Sequence, residues 1–136
     1  NRMIFTVKNK ELSNMASLAG KKIAVQNGST AQKLLEASPV GQSAKEIVPF
    51  DDNQTALMDL EKGGVEAVFL DEIVAKYWIV QNSKDYVVLE EGLSDEQYAI
   101  GFRKGDQKLR DAVDSIIKTM KEDGKFAEIS SKWFGK

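Results

Sequence analysis

The sequence predicts an α/β protein: a mostly parallel, doubly wound sheet followed by two C-terminal helices. Short apolar runs alternate with amphipathic stretches of about ten residues, which is the pattern of βαβ units. One of these runs, 65–70, is apolar almost throughout, as strands covered on both faces are. After residue 97 the alternation stops, and apolar residues recur at helical spacing instead.

The predicted strands lie mainly in the first two thirds of the chain. They are 3–7, 23–25, 46–50, 65–70, 86–89 and, after a change of character near Gln97, 98–102. Pro49 cannot donate a hydrogen bond to a neighbouring strand, so the strand 46–50 should lie at an edge of the sheet or end there.

Helices are expected between these strands and after the last one. The first runs over 29–37 and is broken by Pro39 and Gly41, and the second follows the capping residues 51–53 and stops at Gly63. A third opens at Asp71. Asp106 should cap a helix that ends at Gly124, before a last short helix. The apolar stripe of these two C-terminal helices consists of Leu109, Val113, Ile116, Ile117, Met120, Phe126, Ile129, Trp133 and Phe134.

Composition excludes several classes of function. The 136 residues carry 19 basic and 21 acidic side chains, so the net charge of -2 lacks the basic excess of a nucleic-acid binder. Cysteine and histidine are both absent, which removes disulfides, thiolate or imidazole metal sites, and Ser-His-Asp or Cys-His catalysis. No apolar run approaches the roughly 20 residues of a membrane helix. We therefore expect no metal, no cofactor and no enzymatic activity.

The turn between the second strand and the first helix is a candidate anion site. Gly28 permits a sharp turn, and Ser29 or Thr30 can cap the helix, whose exposed N–H groups and dipole favour negative charge. The alternative is an ordinary strand-to-helix turn with a normal cap.

Asp71 is the second candidate, because it directly follows the apolar strand 65–70. A carboxylate at the carboxyl end of a parallel strand faces the crevice in which α/β sheets bind ligands. The alternative is that Asp71 only caps the next helix. Since both candidates belong at carboxyl ends of strands, together they could hold the two charged ends of one zwitterion.

Four segments, in order, resemble the second half of polar amino-acid-binding proteins of ABC importers. They are 18–30 (LAGKKIAVQNGST), 56–71 (ALMDLEKGGVEAVFLD), 98–106 (YAIGFRKGD) and 123–135 (DGKFAEISSKWFG). This resemblance implies a type II periplasmic-binding-protein lobe with its ligand in a cleft. It makes residues 1–97 a crossing strand and the second, ligand-binding lobe. It makes 98–136 a return strand and helices that normally pack on the first lobe, most of which would be absent.

The resemblance also implies roles for individual residues. Ser29 and Thr30 would hold the ligand α-carboxylate with hydroxyl and backbone N–H groups, and Asp71 would hold the α-ammonium. Gln26 and Asn27 would border the side-chain pocket, and Gln97 would line the cleft. These three neutral groups favour an uncharged polar ligand such as glutamine. The arginine and the aromatic ring that the first lobe contributes in this family cannot be assigned.

The implied function is that of a binding protein, outside the cytoplasmic membrane in the periplasm or on the outer face of the cell. It would capture a polar amino acid and present it to an ABC permease. A ligand-binding domain of a membrane receptor or sensor kinase is one alternative, and a dehydratase-type enzyme on the same scaffold is another. Because the C-terminal apolar stripe would lack its usual partner, we also expect the isolated chain to self-associate through 98–136.

Overall fold

The computed structural model describes residues 1–135, which fall into two compact units. The first unit is Asn1–Glu96 and contains every strand of the described chain. The second unit begins at Gln97 and contains two helices.

A single five-stranded sheet forms the centre of the first unit. Its strands are β1 (Arg2–Val7), β2 (Lys22–Gln26), β3 (Glu46–Phe50), β4 (Ala67–Asp71) and β5 (Val87–Asp95). Their order across the sheet is β3-β2-β4-β1-β5. Strand β2 pairs in parallel with β3 and β4, whereas β1 is antiparallel to both of its neighbours. Four strands therefore share one direction. The mostly parallel sheet is confirmed, and so is the edge position of the strand that contains Pro49.

Four α-helices and one short 3-10 helix connect these strands. They are the 3-10 helix Met15–Leu18, α1 (Thr30–Ala37), α2 (Pro39–Ser43), α3 (Asn53–Lys62) and α4 (Glu72–Gln81). Pro39 was expected to break a helix, and α1 does end before it. Yet Pro39 is itself the first residue of α2, because Ser38 caps that helix and proline is tolerated at the first helical position.

Both faces of the sheet are covered, so the arrangement is doubly wound as predicted. Successive strand residues point to opposite faces: Phe5 and Phe69 belong to the core beneath α1 and α2, while Ile4 and Val68 belong to the core beneath α3 and α4. Phe5 and Phe69 are fully buried, with ring centroids 4.6 Å apart.

The two ends of the first unit lie side by side. The backbone N–H of Glu96 donates to the carbonyl oxygen of Asn1 over 2.7 Å, and the amino group of Asn1 donates to the carbonyl oxygen of Glu96 over 2.9 Å. This pairing continues the β1–β5 ladder, whose register shifts on both sides of Ile4.

The second unit consists of α5 (Gln107–Glu122) and α6 (Lys125–Phe134), which pack on each other. Asp106 occupies the N-cap position of α5, but its side chain makes no capping hydrogen bond. The strand expected at 98–102 is wrong: these residues are without regular structure. A strand needs a neighbouring strand to accept and donate its backbone hydrogen bonds, and the second unit offers none within the described residues.

Neither C-terminal helix contains a buried residue. Large apolar side chains of this unit that are exposed include Leu109, Ile116, Phe126, Ile129 and Trp133. None of the helices in residues 1–135 is long and apolar enough to cross a membrane.

Candidate functional site

A cavity of about 180 Å³ opens where β2 and β4 end, at the carboxyl edge of the parallel strands. This is the edge at which open α/β sheets bind ligands. The lining residues, all in the first unit, are Met3, Gln26, Ser29, Thr30, Ala31, Asn53, Leu70, Asp71 and Glu96.

The turn from β2 into α1 builds one wall of the cavity. Gly28 has a φ of 69°, in the left-handed region that favours glycine, and this permits the tight turn between Gln26 at the end of β2 and Thr30 at the start of α1. The Ser29 hydroxyl donates to the carbonyl oxygen of Gln26 over 2.7 Å and accepts from the backbone N–H of Gln32 over 3.1 Å. This hydroxyl is therefore occupied as the N-cap of α1.

The first turn of α1 supplies N–H groups at the same wall. Helix geometry gives the N–H groups of Thr30 and Ala31 no acceptor within their own helix. Both residues line the cavity, where the positive end of the helix dipole adds to the attraction for an anion. This wall suits a carboxylate.

Asp71 also lines the cavity, as the last residue of β4, and is half-buried. It pairs with Met3 of β1. Although it occupies the N-cap position of α4, its side chain makes no capping hydrogen bond. The side chain of Asp71 therefore does not cap α4, and Asp71 is among the residues that line the cavity.

Beside Asp71, Glu72 holds two cations. The Arg2 guanidinium donates to both carboxylate oxygens of Glu72, over 2.9 and 3.1 Å, and Lys76 Nζ lies 2.7 Å from Oε1. The hydrogen bond from Arg2 is the main reason that the pKa of Glu72 is lowered from 4.5 to about 2, with Lys76 adding to it. In return, the pKa of Arg2 is raised, mainly by that hydrogen bond.

Four of the six sequence-predicted site residues line this one cavity: Gln26, Ser29, Thr30 and Asp71. Asn27 is exposed and does not line it. Gln97 belongs to the second unit, so its expected place beside the ligand stays a prediction.

Sequence reasoning missed Asn53 and Glu96. Asn53 opens α3 just after β3, so the rule that sites gather at carboxyl ends of parallel strands could have found it. Glu96 follows β5, but that strand continues to Asp95 through a polar stretch without an apolar signal. Within residues 1–135, no group of three or more acidic side chains could hold a metal ion.

Comparison with known proteins agrees with the fold. Residues 4–136 match the family model of bacterial extracellular solute-binding proteins, family 3. The chain is 29% identical over 139 residues to the ABC transporter arginine-binding protein 1 of Escherichia coli strain K12, covering 98% of this chain and 56% of that protein. It is 30% identical over 118 residues to the L-cystine-binding protein TcyJ of the same strain, covering 87% and 43%.

Solved structures of amino-acid-binding proteins have a similar fold. A polar amino acid ABC uptake transporter substrate-binding protein from Streptococcus thermophilus superposes with a TM-score of 0.77 at 27% identity, covering 99% of this chain and 54% of that one. A substrate-binding protein from Streptococcus pneumoniae with bound histidine gives a TM-score of 0.77 at 29% identity, covering 100% and 58%.

The fold and these neighbours define a domain of the type II periplasmic-binding-protein class. More narrowly, the chain belongs to the bacterial extracellular solute-binding proteins, family 3, which confirms the resemblance found in the sequence. The chain spans about half the length of the curated relatives it matches.

Proposed function

We propose that this chain is the ligand-binding lobe of an extracytoplasmic receptor that captures a polar amino acid and presents it to the permease of an ABC importer. One observation carries the proposal: a single cavity at the carboxyl edge of the sheet is lined both by a helix N-terminus and by Asp71. A group that attracts an anion and a carboxylate in one cavity suit a small zwitterion. The relatives named for arginine, cystine and histidine support an amino acid as the ligand.

In this proposal the carboxylate of the ligand accepts hydrogen bonds from the N–H groups of Thr30 and Ala31. Ser29 contributes its backbone and holds the helix start in place, since its hydroxyl is already committed to Gln26 and Gln32. Asp71 receives the ammonium group, and Gln26 borders the side chain. Binding alone is required, without any bond made or broken.

The rest of the binding site belongs to a first lobe. The cavity of about 180 Å³ is smaller than the roughly 300–1,000 Å³ of a complete small-molecule pocket, as expected of one half of a cleft. Residues 1–97 would form the crossing strand and the second lobe, and 98–136 would return to the first lobe and pack on it. Closure of the two lobes around the ligand would then change the surface presented to the permease.

The exposed apolar side chains of α5 and α6 suit that packing. An apolar patch of this kind usually marks an interface. When no first lobe is present, the exposed apolar face of a second copy of the chain can cover this patch. We therefore propose that the isolated chain self-associates through 98–136.

Calorimetric titration of the full natural protein with each of the twenty amino acids tests the proposed function. We expect at least one polar amino acid to bind with an affinity that Asp71→Ala removes almost entirely. Asp85→Ala, which changes an exposed carboxylate paired with Lys10, is the control and should leave binding unchanged. Binding that survives Asp71→Ala would overturn the site, and the absence of binding by all twenty would overturn the function.

A further inference from the structure

Gln32, in the first turn of α1, is hydrogen-bonded to the preceding turn through both its backbone and its side chain. Its backbone N–H donates to the Ser29 hydroxyl over 3.1 Å, and its side-chain Oε1 accepts from the backbone N–H of Gly28 over 2.7 Å. This reciprocal pattern resembles a capping box, in which the side chain at the third helical position accepts from the backbone N–H of the cap residue. Here the Gln32 side chain reaches one residue further back, because the Ser29 N–H is directed to the carbonyl oxygen of Gln26.

A third hydrogen bond fixes which end of the Gln32 amide faces the turn. Its Nε2 donates to Oε1 of Glu36 over 2.8 Å, one helical turn further along α1. Because an ionised carboxylate only accepts hydrogen bonds, Glu36 engages the NH2 end of the amide and leaves Oε1 for Gly28. Neither Gln32 nor Gly28 is among the described residues that line the cavity. In this geometry Gln32 therefore reaches the cavity only through the turn.

The turn depends on such contacts because glycine readily adopts other backbone conformations. Ser29, Thr30 and Ala31 directly follow Gly28, and all three line the cavity. Their N–H groups keep their direction only while the turn keeps its shape. If the turn has that shape only part of the time, the apparent affinity for a ligand falls by the same fraction.

We propose that Gln32 is a positioning residue of the binding site: its side-chain oxygen holds the turn 26–29 in the shape that presents the N–H groups of Thr30 and Ala31 to the ligand carboxylate. This inference rests on the proposed function, because it concerns the carboxylate end of the same cavity. The alternative is that Gln32 contributes only to the stability of α1. Alanine has a higher helix propensity than glutamine, so Gln32→Ala removes the side-chain contacts while favouring the helix itself.

The first experiment requires no ligand. Amide hydrogen exchange, followed by NMR on the full natural protein, should show the Gly28 N–H exchanging at least about fivefold faster in Gln32→Ala, the effect of about one hydrogen bond. Lys33→Ala changes the next residue of the same helix, whose side chain is exposed, and is the matched control. In that control the Gly28 N–H should exchange as in the unchanged protein. Equal exchange in Gln32→Ala and the unchanged protein would overturn the proposal.

The second experiment is calorimetric titration with the twenty amino acids, and the variants are compared on the one that the unchanged protein binds most tightly. Gln32→Ala should reduce that affinity at least about fivefold, again the effect of about one hydrogen bond. The midpoint of thermal unfolding, measured without ligand, should stay the same. Lys33→Ala should bind like the unchanged protein.

Exchange of the two interacting side chains provides the conservative rescue. The double variant Gln32→Glu, Glu36→Gln keeps the net charge, and the carboxylate placed at position 32 can accept both from the Gly28 N–H and from the amide placed at position 36. We expect this double variant to recover most of the affinity lost in Gln32→Ala.

The outcomes separate this inference from the function on which it rests. If Gln32→Ala binds as tightly as the unchanged protein, or the double variant binds as weakly as Gln32→Ala, the role of Gln32 is overturned and the proposed function stands. A loss of affinity that is accompanied by a lower unfolding midpoint would assign Gln32 to helix stability and overturn its positioning role. If the unchanged protein binds none of the twenty, the proposed function fails and this inference fails with it.

Discussion

The carbonyl oxygen of Met3 occupies the space that a side chain on Gly92 would need. A Cβ added to Gly92 would stand 2.7 Å from that oxygen, closer than such atoms approach without displacement. Gly92 pairs with Ile4, the residue after Met3, and the register of the β1–β5 pair shifts on both sides of Ile4. Close approach of the two strands at this irregularity therefore depends on glycine.

Gly92→Ala should lower the free energy of unfolding by about 1–3 kcal/mol, because β1 and β5 must move apart to admit the methyl group. Urea denaturation followed by circular dichroism measures the change. Gly101→Ala is the control: nothing lies within 4 Å of its added Cβ, so its effect should stay within about 0.5 kcal/mol. Equal stability of the two variants would show that the strands accommodate the extra atom.

The Arg2–Glu72 ion pair predicts how the free energy of unfolding depends on pH in the acid range. The folded pKa of Glu72 is about 2, below its ordinary value of 4.5. Its stabilising contribution is thus complete above about pH 4.5 and is lost as the pH falls towards 2. The side chain of Arg2 is 41% exposed, and with this screening we expect a loss of about 1–2 kcal/mol.

Urea titrations at pH 7, 4.5, 3 and 2 would measure this loss. In the Glu72→Gln variant, the decrease in the free energy of unfolding between pH 4.5 and 2 should be smaller by that amount. Glu11→Gln alters an exposed glutamate and should follow the unchanged protein. Identical pH profiles for Glu72→Gln and the unchanged protein would mean that the pair contributes nothing.

Ser29 allows the stability of the helix start to be separated from binding. Ser29→Asp keeps a good N-cap, since aspartate and serine cap helices about equally well. The new charge, however, would stand beside the proposed position of the ligand carboxylate. We expect nearly unchanged thermal stability together with at least about a tenfold loss of amino-acid affinity, equivalent to about 1.4 kcal/mol.

Ser29→Asn is the matched variant, with a capping side chain of the same size and no charge. It should retain both stability and most of the affinity, as measured by calorimetry. Equal affinities of the aspartate and asparagine variants would argue against an anion at the start of α1.

Self-association of the 136-residue chain should be visible in sedimentation experiments. Burying one large apolar side chain contributes about 1.5–3 kcal/mol, and Leu109 and Ile116 of α5 are both more than half exposed. The double variant Leu109→Ser, Ile116→Ser should shift the chain towards monomer, whereas Lys118→Ser should not. A wild-type chain that stays monomeric at high concentration would refute association through this face.

The fold of the first unit could be predicted in most of its parts because local signals agree with one another. Apolar runs marked the strands, Pro49 marked the edge, and Gly63, with a φ of 84°, ended α3 as expected. The insertion of β1 between β4 and β5 carries no local signal. It depends on pairing between residues far apart in the sequence, such as Met3 with Asp71.

In the second unit, by contrast, the sequence pattern predicted a strand that does not form. Residues 98–102 have the alternating, aromatic-rich composition of a strand, yet composition does not provide a partner for backbone hydrogen bonding. Glu96 was missed for a related reason, since the polar continuation of β5 is held by its ladder with β1 and by Asn1 rather than by burial.

The hydrogen bonds between Asn1 and Glu96 hold the two ends of the first unit next to each other. A short peptide joining these two residues could circularise it without displacing any strand, and new ends could be opened in the exposed turn around Ser83, between α4 and β5. The first unit, with its original ends, could also be inserted into a loop of another protein. The two ends are separated only by the distance between neighbouring strands, so the host loop would need to open very little.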